Sequence, residues 1–188
     1  MKTKHWILIV FFLIVNIKSS TGQTLSLKNE LQSATIIDSV LIEQRAVHAF
    51  SKVDKKDEFY ICIRGKSIAE GNVIFTIISN DKITILREEF PSYLLMNYGF
   101  EGDLESVKDR EKYMINRIKK FFEEKNFKYP AIKQDEVFDE DYSDKEIWND
   151  IQSDRTAIGF NYLIGEEDGR TIAYSKKTKK VVMYFNCC

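Results

Sequence analysis

Six stretches of the chain carry the alternation of apolar and polar positions, or the density of β-branched and aromatic residues, expected of strands. Phe59 to Arg64 (FYICIR), Val73 to Ser79 (VIFTIIS) and Lys82 to Arg87 (KITILR) follow one another closely. Asn80-Asp81 between the last two is a two-residue hairpin signal. Ala157 to Ile164 places Ile158, Phe160, Tyr162 and Ile164 on one face, and Asp168-Gly169 turns the chain into Arg170 to Ser175. A solvated lysine turn, Lys176 to Lys180, leads into Val181 to Phe185. The strands therefore form two antiparallel meanders.

Helical periodicity is clearest over Asp103 to Lys125, where Leu104, Val107, Met114, Ile118 and Phe121 make one apolar stripe that Phe122 widens. Tyr129-Pro130 stops any continuation. A shorter helix is expected from Ser143, with Ser143 and Glu146 as a capping box and Ile147, Trp148 and Ile151 on the buried side. Ser33 to Phe50 has near-helical apolar spacing and is expected to be a helix with Ser33 as N-cap, the alternative being a strand started by its β-branched Thr35, Ile36, Ile37 and Val40. An acidic linker, Gln134 to Asp141, joins the two later helices. Helices grouped between two runs of strands predict an α+β fold: a mainly antiparallel sheet of about six strands with two or three helices packed on one face.

The first 22 residues stand apart from this pattern. Lys2 and Lys4 precede an unbroken apolar run, Trp6 to Val15, and Ser19-Ser20-Thr21-Gly22 suits cleavage before Gln23. The run is about half the length of a membrane span, so residues 1–22 read as a secretory signal peptide and residues 23–188 as one α+β domain with no stable membrane span. Removing Lys2, Lys4 and Lys18 converts a net charge of −1 into 25 basic against 29 acidic residues, or −4. That balance argues against nucleic acid as a partner. No N-x-[ST] sequon occurs, and lysine outnumbers arginine, so the expected destination is the periplasm or the exterior of a bacterial cell. Of the three cysteines, Cys62 sits in a strand pattern as a small core residue, with a Cys62 to Cys187 bridge as the alternative, and Cys188 is left over.

The chemistry excluded is more definite than the chemistry indicated. After signal removal one histidine remains, His48, which rules out His-rich metal centres and requires any Ser-His or Cys-His mechanism to use it. Its expected place is the end of the first helix, beside the terminal carbonyls. Gly65-Lys66-Ser67 matches the end of a phosphate loop, but Tyr60 stands where the first glycine is needed. Asp139 and Asp141, with Ser143 and Asp150, have the spacing of calcium-loop ligands, yet Asp144 occupies the position of the obligatory glycine. The aromatic loop FPSYLLMNYGF offers Phe90, Tyr93, Tyr98 and Phe100 as a ligand or partner surface. No cofactor motif is present. The sequence thus suggests a non-catalytic binding or interaction protein, its partner another envelope or secreted protein. The alternative is an envelope hydrolase using a carboxylate pair from Glu88, Glu89, Asp135 or Asp139.

Expression with export should yield a product whose N-terminal residue is Gln23, read from its intact mass; retention of residues 1–22 would show an uncleaved anchor instead.

Overall fold

The computed structural model describes residues 39–97, 106–165 and 167–187. The signal segment, the proposed N-cap Ser33, Leu104 of the helical stripe, and Tyr98 and Phe100 of the aromatic loop lie outside them. The described chain is α+β, with two antiparallel four-stranded sheets and two α-helices.

The first sheet is a meander in chain order: β1 (Val40–Ala49), β2 (Lys56–Arg64), β3 (Asn72–Ile78) and β4 (Thr84–Pro91). Its pairing register aligns Phe59 with Ile77, Ile61 with Phe75, Ile63 with Val73 and Val73 with Phe90. The strand period of two therefore turns all of these side chains to one face, where each is at most 7% exposed. A carboxylate holds the turns at one end of this sheet together. Asp57, fully buried, accepts from the Ser51 N–H at 2.6 Å and from the Asn80 N–H at 2.8 Å. The β3–β4 connection is longer than the expected two-residue turn. Lys82 adopts a positive φ and its N–H donates to the Ser79 carbonyl, so β4 starts at Thr84.

After a 3-10 turn at Ser92–Asn97, helix α1 (Val107–Lys120) begins on the Ser106 N-cap, whose Oγ accepts from the Asp109 N–H. It ends five residues before the periodicity suggested. The Asn126 side-chain amide donates to the carbonyls of Phe121 and Lys120, satisfying groups the helix leaves open, and Phe121 and Phe122 turn into the core. A second 3-10 turn, Glu124–Asn126, leads into the two-residue β5 (Phe127–Lys128).

The second sheet is also in chain order: β5, β6 (Gly159–Leu163), β7 (Gly169–Ser175) and β8 (Lys180–Cys187). Helix α2 (Lys145–Ser153) precedes β6. Its N-cap is Asp144, whose Oδ1 accepts from the Glu146 and Ile147 N–H groups at 2.9 Å each. The expected Ser143 capping box does not form, because the carboxylate one residue later is as good a cap and adds charge favourable to the helix dipole.

Three sequence expectations are corrected. Ser33 to Phe50 is not a helix over its described part, which forms β1. The strands form two sheets rather than one, eight strands in place of about six, with β1 and β5 the additions. The helices do not share a face. Met114 and Ile118 of α1 pack with Phe160, Tyr162 and Ile172, whereas Trp148 and Ile151 of α2 pack with Ala173 and Tyr184. Ile172 and Ala173 are adjacent in β7, so the two helices cover opposite faces of the second sheet.

The larger core joins both sheets and α1 through phenylalanine. Phe160 packs its ring 5.4 Å from Phe59, 5.8 Å from Phe75, 5.9 Å from Phe121 and from Phe122, and 4.8 Å from Phe127. In the smaller core the Tyr184 hydroxyl donates to the Ala131 carbonyl at 2.8 Å. A Cβ on Gly159 would sit 2.5 Å from that hydroxyl, so glycine is required where β6 passes it.

Phe160→Ala should cost about 3–5 kcal/mol in chemical denaturation, whereas Val137→Ala, at an 82% exposed site, should stay within about 0.5 kcal/mol. Similar losses for the two would contradict this assignment of the core.

Candidate binding groove

The second sheet is open along part of one edge. β5 pairs only with Phe160 and Gly159, so among the described residues the rest of β6 has no strand beside it on the side away from β7. The space is a groove of about 590 Å³ between β6, the C-terminal half of α1 and the turn that follows. Helix α1 contributes Tyr113, Asn116, Arg117 and Lys120, one or two turns apart and so on one side. The turn contributes Glu123, Lys125 and Asn126, and β6 contributes Asn161, Tyr162 and Leu163.

Arg117 fixes the width of the groove. Its Nη1 donates to the Leu95 carbonyl at 2.7 Å and its Nη2 to the Leu163 carbonyl at 2.8 Å, linking the helix to the first 3-10 turn and to the end of β6. Tyr162 forms the floor, 3% exposed, with its hydroxyl turned away under the sheet to donate to Glu88 Oε2 at 2.9 Å. Burial, the Glu88 charge and this hydrogen bond all push the Tyr162 phenol above its ordinary range. Arg170 bonds the same Glu88 oxygen at 3.2 Å and is gripped by Asp168 at 2.6 and 2.7 Å. The hydrogen bond from Asp168 and the nearby Glu88 charge raise the guanidinium above its usual value against the opposing effect of burial. Among the groove-lining side chains Arg117, Lys120 and Lys125 face a single acid, Glu123, which pairs with Lys125 at 2.7 Å.

The open face of the first sheet has recesses of about 480 and 630 Å³, and several of the charges on it are paired within the face. Arg45 pairs with Glu43 and lies 4.2 Å from the centroid of the Tyr60 ring, Tyr60 donates to Glu43, Lys82 meets Glu58, and Arg87 meets Glu89. Those hydrogen bonds hold the Glu43 and Glu58 carboxyls below the usual range.

The residues singled out from sequence are dispersed. Phe90 is 7% exposed on the inner face of β4, and Tyr93 is 57% exposed on the first 3-10 turn. Glu88 and Glu89 are neighbours on one strand and point to opposite faces, one to Arg170 and one to Arg87. Asp139 Oδ1 accepts from the Asp141 N–H at 3.0 Å, an Asx turn within the exposed linker. Among the described residues no group of three or more His, Cys, Asp or Glu is placed to hold a metal ion, and no helix is long and apolar enough to cross a membrane. Cys62 and Cys187 are not disulfide-bonded, and Cys62 is fully buried on the opposite side of β2 from Phe59, Ile61 and Ile63.

His48 is not at a helix end. It lies on β1, stacked on Phe127 with ring centroids 3.7 Å apart, and its Nε2 is 3.6 Å from a Glu124 carboxylate oxygen. It thereby braces β1 against the segment that forms the groove's rim. Burial lowers its pKa, with Lys56 acting in the same direction and Glu124 opposing. The groove itself escaped the sequence reading, since its residues come from three separated segments with no shared motif. Its one sequence signal is the run of cations in the last turn of α1, Arg117, Lys119 and Lys120.

No family model, curated protein or solved structure matches the chain.

Because the folded pKa of His48 lies below its unfolded value, the unfolded chain binds the extra proton first on acidification. Stability from this group is therefore full above about pH 6.5 and declines as pH falls through the lower folded value. Thermal midpoints measured from pH 7.5 downward should show that decline, and His48→Phe should remove it; an unchanged slope in the variant would refute the assignment.

Proposed function

We propose that the chain is an exported, non-catalytic binding protein that receives its partner in the groove beside β6. The observation that carries this reading is an open groove of about 590 Å³ in which the exposed Lys120 stands beside Tyr113, Asn116 and Asn161. Aromatic side chains such as Tyr113 are enriched where proteins hold partners. Export follows from the apolar run Trp6 to Val15, and the partner is then another secreted or envelope protein.

Catalysis by a carboxylate pair would need one acid with a raised pKa beside a second, ionised one. Glu88 and Glu89 are neighbours on β4 whose side chains point to opposite faces, so they do not form such a pair. Glu88 and Asp168 both serve Arg170. These arrangements favour binding over hydrolysis.

The test compares the exported protein with its Lys120→Glu variant as affinity baits for envelope and secreted proteins. A stoichiometric partner held by the unaltered protein and lost by the variant is expected. A partner held equally by both, or hydrolysis of an envelope polymer abolished by Glu88→Gln, would overturn the reading.

A further inference from the structure

Beyond the groove, and using neither Lys120 nor β6, we infer that the solvent face of α1 docks on the acidic linker of a second copy of this chain, so that molecules associate head to tail. Lys108, Lys112 and Lys119 are all exposed and fall within about 40° of one another around the helix, with the half-buried Ile115 between the last two. The stripe runs about 16 Å along the axis. Among the described residues none of these three lysines makes a hydrogen bond or an ion pair. The acids nearest in sequence do not pair with them: Asp109 is engaged by the Ser106 hydroxyl at 2.5 Å, and Glu111 forms no ion pair. Lysines at i and i+4, as Lys108 and Lys112 are, repel each other, so the stripe weakens the helix rather than supporting it.

The matching surface is the linker before α2, whose residues alternate. Glu136 and Phe138 turn inward: Glu136 accepts from the Lys133 N–H, and Phe138 packs on Trp148 with ring centroids 5.9 Å apart. Asp135, Val137 and Asp139 are exposed, Val137 at 82%. Among the described residues neither aspartate pairs with a cation, and Asp139 accepts only from the Asp141 N–H within its own turn. A valine that exposed adds nothing to its own core, and its place between two carboxylates mirrors Ile115 between Lys112 and Lys119. The spans agree as well: about 10 Å along α1 from Lys112 to Lys119, and about 13 Å along an extended stretch from Asp135 to Asp139, a difference that lysine side chains take up.

One molecule does not join the two surfaces itself. Phe138 and Trp148 belong to the core on the α2 side of the second sheet, whereas α1 packs on the other side. Neither surface is complementary to itself, so the contact between copies is heterologous: the stripe of one molecule meets the linker of the next, and each added copy leaves one surface of each kind open. Exposed ion pairs contribute little singly and are screened by salt, so the association is reversible and is lost at high ionic strength.

Sedimentation velocity of the exported protein at concentrations up to about 1 mM tests this. In about 20 mM salt the weight-average sedimentation coefficient should rise with concentration, and in about 0.5 M salt it should stay at the monomer value. Reversing the stripe in Lys108→Glu/Lys112→Glu/Lys119→Glu should abolish the rise, as should Asp135→Lys/Asp139→Lys, and an equimolar mixture of the two variants should restore it. Asp135→Lys/Asp139→Lys brings the net charge after signal removal from −4 to zero, so an effect of net charge alone would strengthen its association instead. Val137→Ser should weaken association about fivefold, and Lys66→Glu, in the exposed β2–β3 loop, should leave it unchanged. A monomer at every concentration in low salt would overturn the inference, as would association that survives reversal of the stripe or grows on reversal of the linker. Where a charge-reversed variant misfolds, Val137→Ser decides, since the core does not use that side chain: unweakened association would overturn the inference.

Discussion

The burial of Phe160 against Phe59, Phe75, Phe121, Phe122 and Phe127 is the interaction on which the rest of the structure depends. Each meander alone would be a four-stranded sheet with one apolar face exposed to water. Phe160 and Tyr162 of the second sheet bring their faces against Phe75 of the first, while Phe121 and Phe122 close the gap from the end of α1. A buried aromatic side chain contributes several kcal/mol, and ring pairs add about 0.5–1.5 kcal/mol beyond area. The Glu88–Arg170 pair also bridges the sheets, but both side chains remain about a quarter exposed, 23% and 27%, so its contribution is discounted by solvent to about 1 kcal/mol. Packing joins the sheets; the ion pair fixes how they are set.

The same cluster builds the groove. Tyr162 is two residues beyond Phe160 on β6 and faces the same way, so the packing that seats Phe160 also sets the floor. Helix α1 must stop at Lys120 for Phe121 and Phe122 to enter the core, and the following chain then has room for only two residues of β5. An open edge on β6 is thus a geometric consequence of where the phenylalanines go. Arg117 spans the remaining gap with two hydrogen bonds to carbonyls, which satisfies the Leu163 acceptor that a further strand would otherwise have bonded.

The strands with large apolar residues on alternate positions were legible, because Phe59, Ile61 and Ile63 or Phe160 and Tyr162 announce a period of two directly. β1 was not. Its inward-facing positions include Ile42, Ala46 and His48, paired opposite Ile63, Phe59 and Asp57, and only Ile42 among them is strongly apolar. Its more conspicuous Leu41 and Val47 are 37% and 53% exposed, so the apolar residues that suggested a helix are mostly on the wrong face. β5, two residues long, has no period to detect. The Ser143 cap was misplaced by one residue because two good capping side chains stand side by side. The groove was illegible for a different reason: its helical residues are ordinary helix-terminal ones, and the strand that forms the other wall is about 40 residues away in sequence, as between Lys120 and Phe160.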